Sequence, residues 1–317
     1  MKKILAAIAA CLMLCTVFSG CKKNGETRLP DVSYDNAPVE AYSYELDGEE
    51  IVITGFNASN TVANVPAELD GKPVTTIKAG AFKGNGVLDT VNLPDSVTTI
   101  ENTAFAGCSM LRALSLPTSL LSIGDDAFYG CAMLSALHLP FTINHIGTRA
   151  FSGCTKLETI AFPDGAIYIG ADAFAGTPWL AKQSREFVIQ NGSLLSYNGS
   201  REIVTVPLDV RVISAAFSGN ETVKKIILPD TVTHLTSDAF SGCTSLSTVM
   251  LGGGLQVVED AAFSGCTSLT EITFPRTIKA IGKNAFAGCD ALKLIKGKKT
   301  TAAEEFAKAK DLEFEIS

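Results

Sequence analysis

The chain has 317 residues, 46% hydrophobic and 19% charged, a balance that describes a folded protein and not a disordered one. Its 33 acidic side chains outnumber 26 basic ones, giving a formal charge of −7. That charge argues against nucleic acid as a partner, which would need a basic face.

The N-terminus reads as an export signal. Lys2 and Lys3 precede an apolar stretch from Ile4 to Phe18, followed by Ser19-Gly20-Cys21. A short basic region, an apolar run and small residues at the cut describe a secretory signal over residues 1–20. The run is shorter than the roughly 20 residues a membrane span needs. Cys21 after Ser-Gly resembles the bacterial lipobox, whose cysteine is lipidated and becomes the new N-terminus. Phe18 departs from that motif, which usually carries Leu there, so an ordinary signal with a chance cysteine remains the alternative. The expectation is an exported protein of the bacterial envelope, lipid-anchored to a membrane through Cys21. Residues 21–41, rich in Asn, Gly, Pro, Asp and Ser, read as a flexible tether.

Residues 42–76 are predicted to form an N-terminal β cap that opens with a hairpin over Tyr42–Gly55, turning at Asp47-Gly48. From there a phenylalanine recurs every 23 residues: Phe82, Phe105, Phe128, Phe151 and Phe174, then Phe217, Phe240, Phe263 and Phe286. Self-similarity at this period means a solenoid, in which stacking supplies the core that no single repeat can bury. In the unit 100–122 the apolar positions are Ile100, Ala104, Phe105, Leu111, Leu114 and Leu116, and Pro117 closes a strand by removing a backbone donor. A second apolar pair, such as Val97 with Ile100, predicts another short strand per coil, with a helical or 3-10 turn at Ala-Phe. About nine to ten coils, spaced ~4.8 Å apart, would carry the phenylalanines in one internal stack.

Repeats are expected over 77–180 and 209–295. Phe174 and Phe217 lie 43 residues apart, an excess of 20, and the intervening 181–208 reads as a β-hairpin interruption with turns at Asn191-Gly192 and Asn198-Gly199. Residues 296–317 read as a C-terminal cap: Thr301-x-x-Glu304 is a capping box opening a short helix, and a strand follows.

The complete phrase, Ile-x-x-x-Ala-Phe-x-Gly-Cys-x-x-Leu-x-x-Ile-x-Leu-Pro, resembles the BspA-type leucine-rich repeat family of bacterial surface proteins. The resemblance implies a β-rich α/β solenoid, a right-handed leucine-rich-repeat superhelix. It also implies adhesion to host matrix proteins or other cells, although a fold by itself licenses no function.

Six cysteines, Cys108, Cys131, Cys154, Cys243, Cys266 and Cys289, each follow a repeat Phe by three residues. Parallel rungs ~4.8 Å apart exceed the separation of Cβ atoms that a disulfide bridges, so these read as buried free thiols. His138, His145 and His234 fall at outward strand positions without metal-ligand spacing, and read as surface histidines. No nucleophile elbow, phosphate loop or zinc-protease motif occurs, so no catalytic residue and no cofactor is expected. Lys293, Lys296, Lys298 and Lys299 form a basic cluster that reads as a solvated turn or as a contact for an acidic surface.

Two groups of outward apolar residues are the candidate partner contacts: Leu121 with Ile167 and Tyr168, and Ile227 beside Met250 in the next coil. The leading expectation is a non-catalytic cell-surface binding or adhesion protein, its partner an extracellular protein or cell-surface polymer. Capture of a glycan or nutrient, and a structural envelope spacer, are the alternatives.

Overall fold

The computed structural model describes residues 37–317; the predicted signal, Cys21 and most of the predicted tether lie outside the described residues. Each coil turns three corners. In the coil that begins at Thr90, a three-residue strand (Thr90–Asn92) buries Val91 between outward Thr90 and Asn92, as a strand with one wet face must. A two-residue strand (Thr99–Ile100) follows the Pro94 turn and buries Ile100. The chain then rounds the Phe105 turn and reaches Ala113–Ser115, which pairs in parallel with Thr90–Asn92 at a displacement of one repeat.

The Phe turn was expected to be helical or 3-10 and is neither, for a reason visible in its hydrogen bonds. The N–H groups of Thr103, Phe105 and Gly107 donate to Asp125, Ala127 and Tyr129 of the next coil at 2.7–2.8 Å. Those of Ala104, Ala106 and Cys108 donate back three residues within the turn at 3.0–3.3 Å. With every second donor sent to the neighbouring coil, no run of consecutive internal bonds can build a helix. The alternation instead makes the third side of the solenoid another hydrogen-bonded ladder.

Among the described residues, eleven strands stack along the two-residue side, six up to Tyr168–Ile169 and five from Ser193–Tyr197 onward. With the turn that Glu313–Ile316 adds beyond them, the solenoid makes about 12 turns, more than the nine to ten expected. The difference arises because the hairpin over Tyr42–Phe56 and the hairpin of the interruption each add a rung in line with the repeats.

The phenylalanines do not form the single stack expected. Phe82, Phe105, Phe128, Phe151 and Phe174 stack face to face with ring centroids 4.6–5.5 Å apart and planes within 18°. Tyr42 and Phe56 close that stack at one end, Trp179 and Phe162 at the other. A second stack starts at Phe187 and Tyr197, runs through Phe217, Phe240, Phe263 and Phe286, and ends under Phe306. The buried residues correspondingly divide into two clusters, up to Phe174 and from Leu194. The short helix Pro178–Ala181 causes the division, because it turns Trp179 across the open edge of Phe174.

All six repeat cysteines are buried, and each thiol donates to the carbonyl of the preceding coil's Phe, as Cys131 does to Phe105 at 3.3 Å. Burial pushes Cys108 up to about 11 and Cys154 and Cys243 up to about 12, so these thiols stay protonated at neutral pH. At the same rung Asn85 and Asn220 open the two runs of phenylalanines. Their side-chain oxygens accept N–H groups of their own turns instead, from Val87 and Leu88 and from Thr222 and Val223.

At the C-terminal end the expected capping box does not form. Thr301 turns its hydroxyl back to the Lys298 carbonyl, and Glu304 accepts the N–H of Thr300 at 2.7 Å. The helix Ala302–Ala309 nevertheless covers the last Phe with Phe306.

Candidate functional site

Where the period breaks, side chains take over from backbone. Tyr197 lies 23 residues after Phe174 and 20 before Phe217, so the interruption is one full coil followed by one shortened by three residues. Phe187–Gln190 and Ser193–Tyr197 pair antiparallel about Asn191 and Gly192, both at positive φ (52° and 83°), which is the twist a two-residue hairpin turn requires. The parallel pairing of two-residue strands stops at Tyr168–Ile169 and resumes between Ser193–Tyr197 and Val212–Ile213. Ser193 bridges the gap: its buried hydroxyl accepts from Ile169 N–H at 3.3 Å and donates to the Ile167 carbonyl at 3.1 Å. The Ser214 hydroxyl donates to the Ile169 carbonyl, and the Asn191 amide donates to the Pro163 and Gly165 carbonyls at 2.8 and 2.6 Å. Backbone groups that lose a ladder partner inside a core must be met this way.

Over this joint lies a cluster that the sequence did not place together. The Tyr168 ring stacks on His145 with centroids 4.8 Å apart and planes 1° apart, and meets His234 edge-on at 6.2 Å. Its hydroxyl donates to Glu259 Oε1 at 2.6 Å, a contact spanning 91 positions of the chain. The other carboxylate oxygen of Glu259 accepts the N–H and hydroxyl of Ser237 at 2.8 and 3.2 Å. Burial, then the bond to Glu259, pushes the Tyr168 phenol well above its usual range, so it stays a donor. Burial holds both His145 and His234 below the ordinary imidazole value, against the pull of Glu259 on each. Tyr168 and both carboxylate oxygens of Glu259 are committed to one another and to Ser237, which makes the set a clasp between the two runs of coils. Among the described residues no group of three or more His, Cys, Asp or Glu is arranged to hold a metal ion.

One signal for this cluster was present in the repeat. Glu259 occupies the position held by Gly124, Gly147, Gly170 and Gly282 in other coils. The same position holds Lys78 and Glu101 in the first coils, where Glu101 likewise accepts a backbone N–H (Ala79), so what sets Glu259 apart is its second bond, to Tyr168.

The first predicted apolar group is not a surface patch. Leu121 is exposed (43%), but Ile167 is 3% exposed and belongs to the core, and Tyr168 is half-buried in the clasp. The correction has a local cause. Between the core residues Ile143 and Ile146 two residues face outward, whereas between Ile167 and Ile169 there is only Tyr168. The turn at Gly165, with φ 110°, leaves Ala166 exposed and swings Ile167 inward in its place.

The second group is brought together, and enlarged. Ile227 pairs directly with Met250 on one side and with Thr205 on the other, on consecutive parallel three-residue strands. Ile203 lies on the same strand as Thr205, diagonal to Ile227, and is 60% exposed; Met250, one strand beyond Ile227, is 49% exposed. Ile203, Ile227 and Met250 thus occupy three successive rungs. Before the joint, the corresponding rungs carry small or polar outward residues, Thr90, Asn92, Ala113, Ser115, Ala136 and His138. Ile203 escaped the sequence reading because it falls inside the interruption, where no period assigns it a face.

The family model described as the BspA type leucine rich repeat region matches residues 75–186 and 189–305, with six copies. The chain belongs to the BspA-type leucine-rich repeat family. Three solved structures are similar to this BspA-type chain. A leucine-rich repeat protein of T. pallidum aligns at 21% identity with a TM-score of 0.45, over 89% of this chain and 98% of its own. A leucine-rich cell surface protein of Faecalibacterium prausnitzii aligns at 22% identity and 0.37, over 89% and 94%. The pneumococcal vaccine antigen PcpA aligns at 19% identity and 0.39, over 87% and 83%. Among curated proteins no significant relative was found.

Proposed function

We propose that this BspA-type repeat protein is a non-catalytic binding protein of the bacterial cell surface, held to a membrane through a lipid on Cys21. Its three-residue ladder after the joint receives an extended segment of an extracellular protein. The observation that carries this reading is the run of Ile203, Ile227 and Met250 on successive rungs of an open, regular face. Three neighbouring apolar side chains, rimmed by Lys225, Thr205 and Thr248, give a protein segment apolar contacts at its centre and polar ones at its edge. Soluble leucine-rich-repeat faces of this kind need no moving part; the rigid ladder supplies the preorganisation.

Residues 22–317, immobilised and presented to a panel of extracellular-matrix proteins and to a polysaccharide array, test the partner class. Binding within the protein panel is expected, and retention of polysaccharide alone would overturn it. Cys21→Ser is expected to shift the protein from the membrane fraction to the soluble exported fraction with its repeats folded. A wild-type protein already soluble outside the cell would overturn the lipid anchor and leave the binding face untouched.

A further inference from the structure

The C-terminal end carries a feature the binding face does not use. Beneath the helix Ala302–Ala309 lies a cavity of about 150 Å³. Phe286, Leu292, Phe306 and Leu312 supply its apolar wall, Lys283 and Lys310 line it as well, and its own lining holds no carboxylate. A groove between the coil at Ala280–Ile281 and the helix shares Lys283, Phe306 and Lys310 with the cavity and adds Lys279 and a single carboxylate, Glu305. The surroundings are basic although the chain as a whole is acidic: from Arg276 to Lys310 there are nine Lys and Arg against Asp290, Glu304 and Glu305.

We infer that this cavity is a binding site for a small apolar carboxylate, its hydrocarbon part against Phe286 and Phe306 and its carboxylate between Lys283 and Lys310. Size sets the scale of the ligand, because an apolar cavity of roughly 150 Å³ accommodates a single benzene ring. Charge sets its sign. Two lysines in the lining of an apolar chamber, with no acid in that lining, favour an anion over a neutral or cationic molecule of the same shape. The cavity exists because the last coil is covered by a helix and not by another coil. Phe306 tilts 58° to Phe286 at 5.6 Å, where rings inside the stack lie nearly parallel. The mismatch between a helix and a ladder leaves the space.

Cys289 lines the same cavity, so it reports occupancy. With benzoate, benzyl alcohol and benzylamine as probes, alkylation of Cys289 by iodoacetamide is followed by peptide mass mapping on the full exported chain, alongside thermal denaturation. Benzoate is expected to slow alkylation of Cys289 and raise the melting temperature, binding about tenfold more tightly than benzyl alcohol, the size of one charge-assisted hydrogen bond. The double variant Lys283→Glu, Lys310→Glu is expected to melt like the wild type without ligand, and to lose the preference for benzoate while still admitting benzyl alcohol. Cys289→Ser is expected to keep the thermal shift with benzoate, which separates binding from the thiol. Benzoate leaving both Cys289 alkylation and melting unchanged up to about 10 mM would overturn the inference. So would benzoate binding undiminished in the double variant, or benzylamine binding as tightly as benzoate.

Discussion

The three coils just before the joint and the three just after it use one repeat position in opposite ways. Gly124, Gly147 and Gly170 press against the preceding coil so closely that a Cβ on Gly147 would sit 2.5 Å from the Asp125 nitrogen. Their N–H groups reach the coil behind at 2.8 Å. After the joint the position holds Ser214, Thr236 and Glu259, and the same bonds lengthen to 2.9–3.0 Å. Ser214 and Thr236 donate their hydroxyls to carbonyls of an earlier coil, and Glu259 reaches out to Tyr168. At Gly282 the tight form returns. The three glycine coils rely at this rung on backbone stacking, whereas from the joint to Glu259 the rung carries side chains that bond across coils, as Glu101 does to Ala79 near the other end.

The largest effect is expected in the regular part. Phe128→Ala, in the middle of the first stack, should lower stability by about 3–5 kcal/mol, the range for removing a buried aromatic ring. An unchanged denaturation midpoint would mean the rings are not a core ladder. Gly147→Ala probes the contact between coils in the same run. The added methyl meets backbone, not a flexible side-chain end, and overpacking of that kind costs about 1–3 kcal/mol. If Gly147→Ala is as stable as wild type, the two halves do not differ in how tightly their coils approach.

The clasp is expected to matter less. Tyr168→Phe keeps the ring on His145 but removes the hydroxyl from Glu259, a loss of about 1 kcal/mol for a partly exposed bond. Glu259→Gln, which keeps an acceptor, should lose less; equal losses would assign the contact to packing. The smallest effect is the pH response. Burial lowers His145 and His234 in the folded state, so the unfolded chain takes protons first as pH falls. The stability they contribute is complete above the ordinary imidazole value near 6.5 and declines as pH falls from there toward their folded values. Asp172, raised by burial and by Asp238, acts with the opposite sign in the carboxylate range. Melting curves between about pH 7.5 and 5.5 should therefore show a slope that His145→Gln with His234→Gln reduces. A slope unchanged in the double variant would remove these histidines from the clasp.

What the sequence made legible follows the period. The 23-residue recurrence gives the solenoid, the buried thiols and the pairing of Ile227 with Met250, because in a ladder a residue's neighbours are fixed by addition. Ile167 and Ile203 defeat it for one reason: each sits where a coil is a residue short or out of register, so its face follows from the turn and not from the period. The clasp of His145, Tyr168, His234 and Glu259 was illegible for a different reason. His145 beside Tyr168 does follow by addition, but His234 and Glu259 lie beyond the interruption, and only the path of the hairpin brings the two pairs within reach. The helical turn expected at Ala-Phe failed because local pattern cannot reveal that alternate donors belong to the next coil.

The central claim is that the apolar rungs after the joint form the face that engages a protein partner. Ile227→Asp with Met250→Asp places two charges on that face without touching the core, and Leu121→Asp places one on the run before the joint as a control. The direct measurement is binding of the three proteins, at matched folding, to whichever matrix protein the wild type retains most strongly. The account predicts a loss of at least about tenfold for the Ile227 and Met250 variant and no change for Leu121→Asp. Equal binding by all three, or a loss confined to Leu121→Asp, would contradict it.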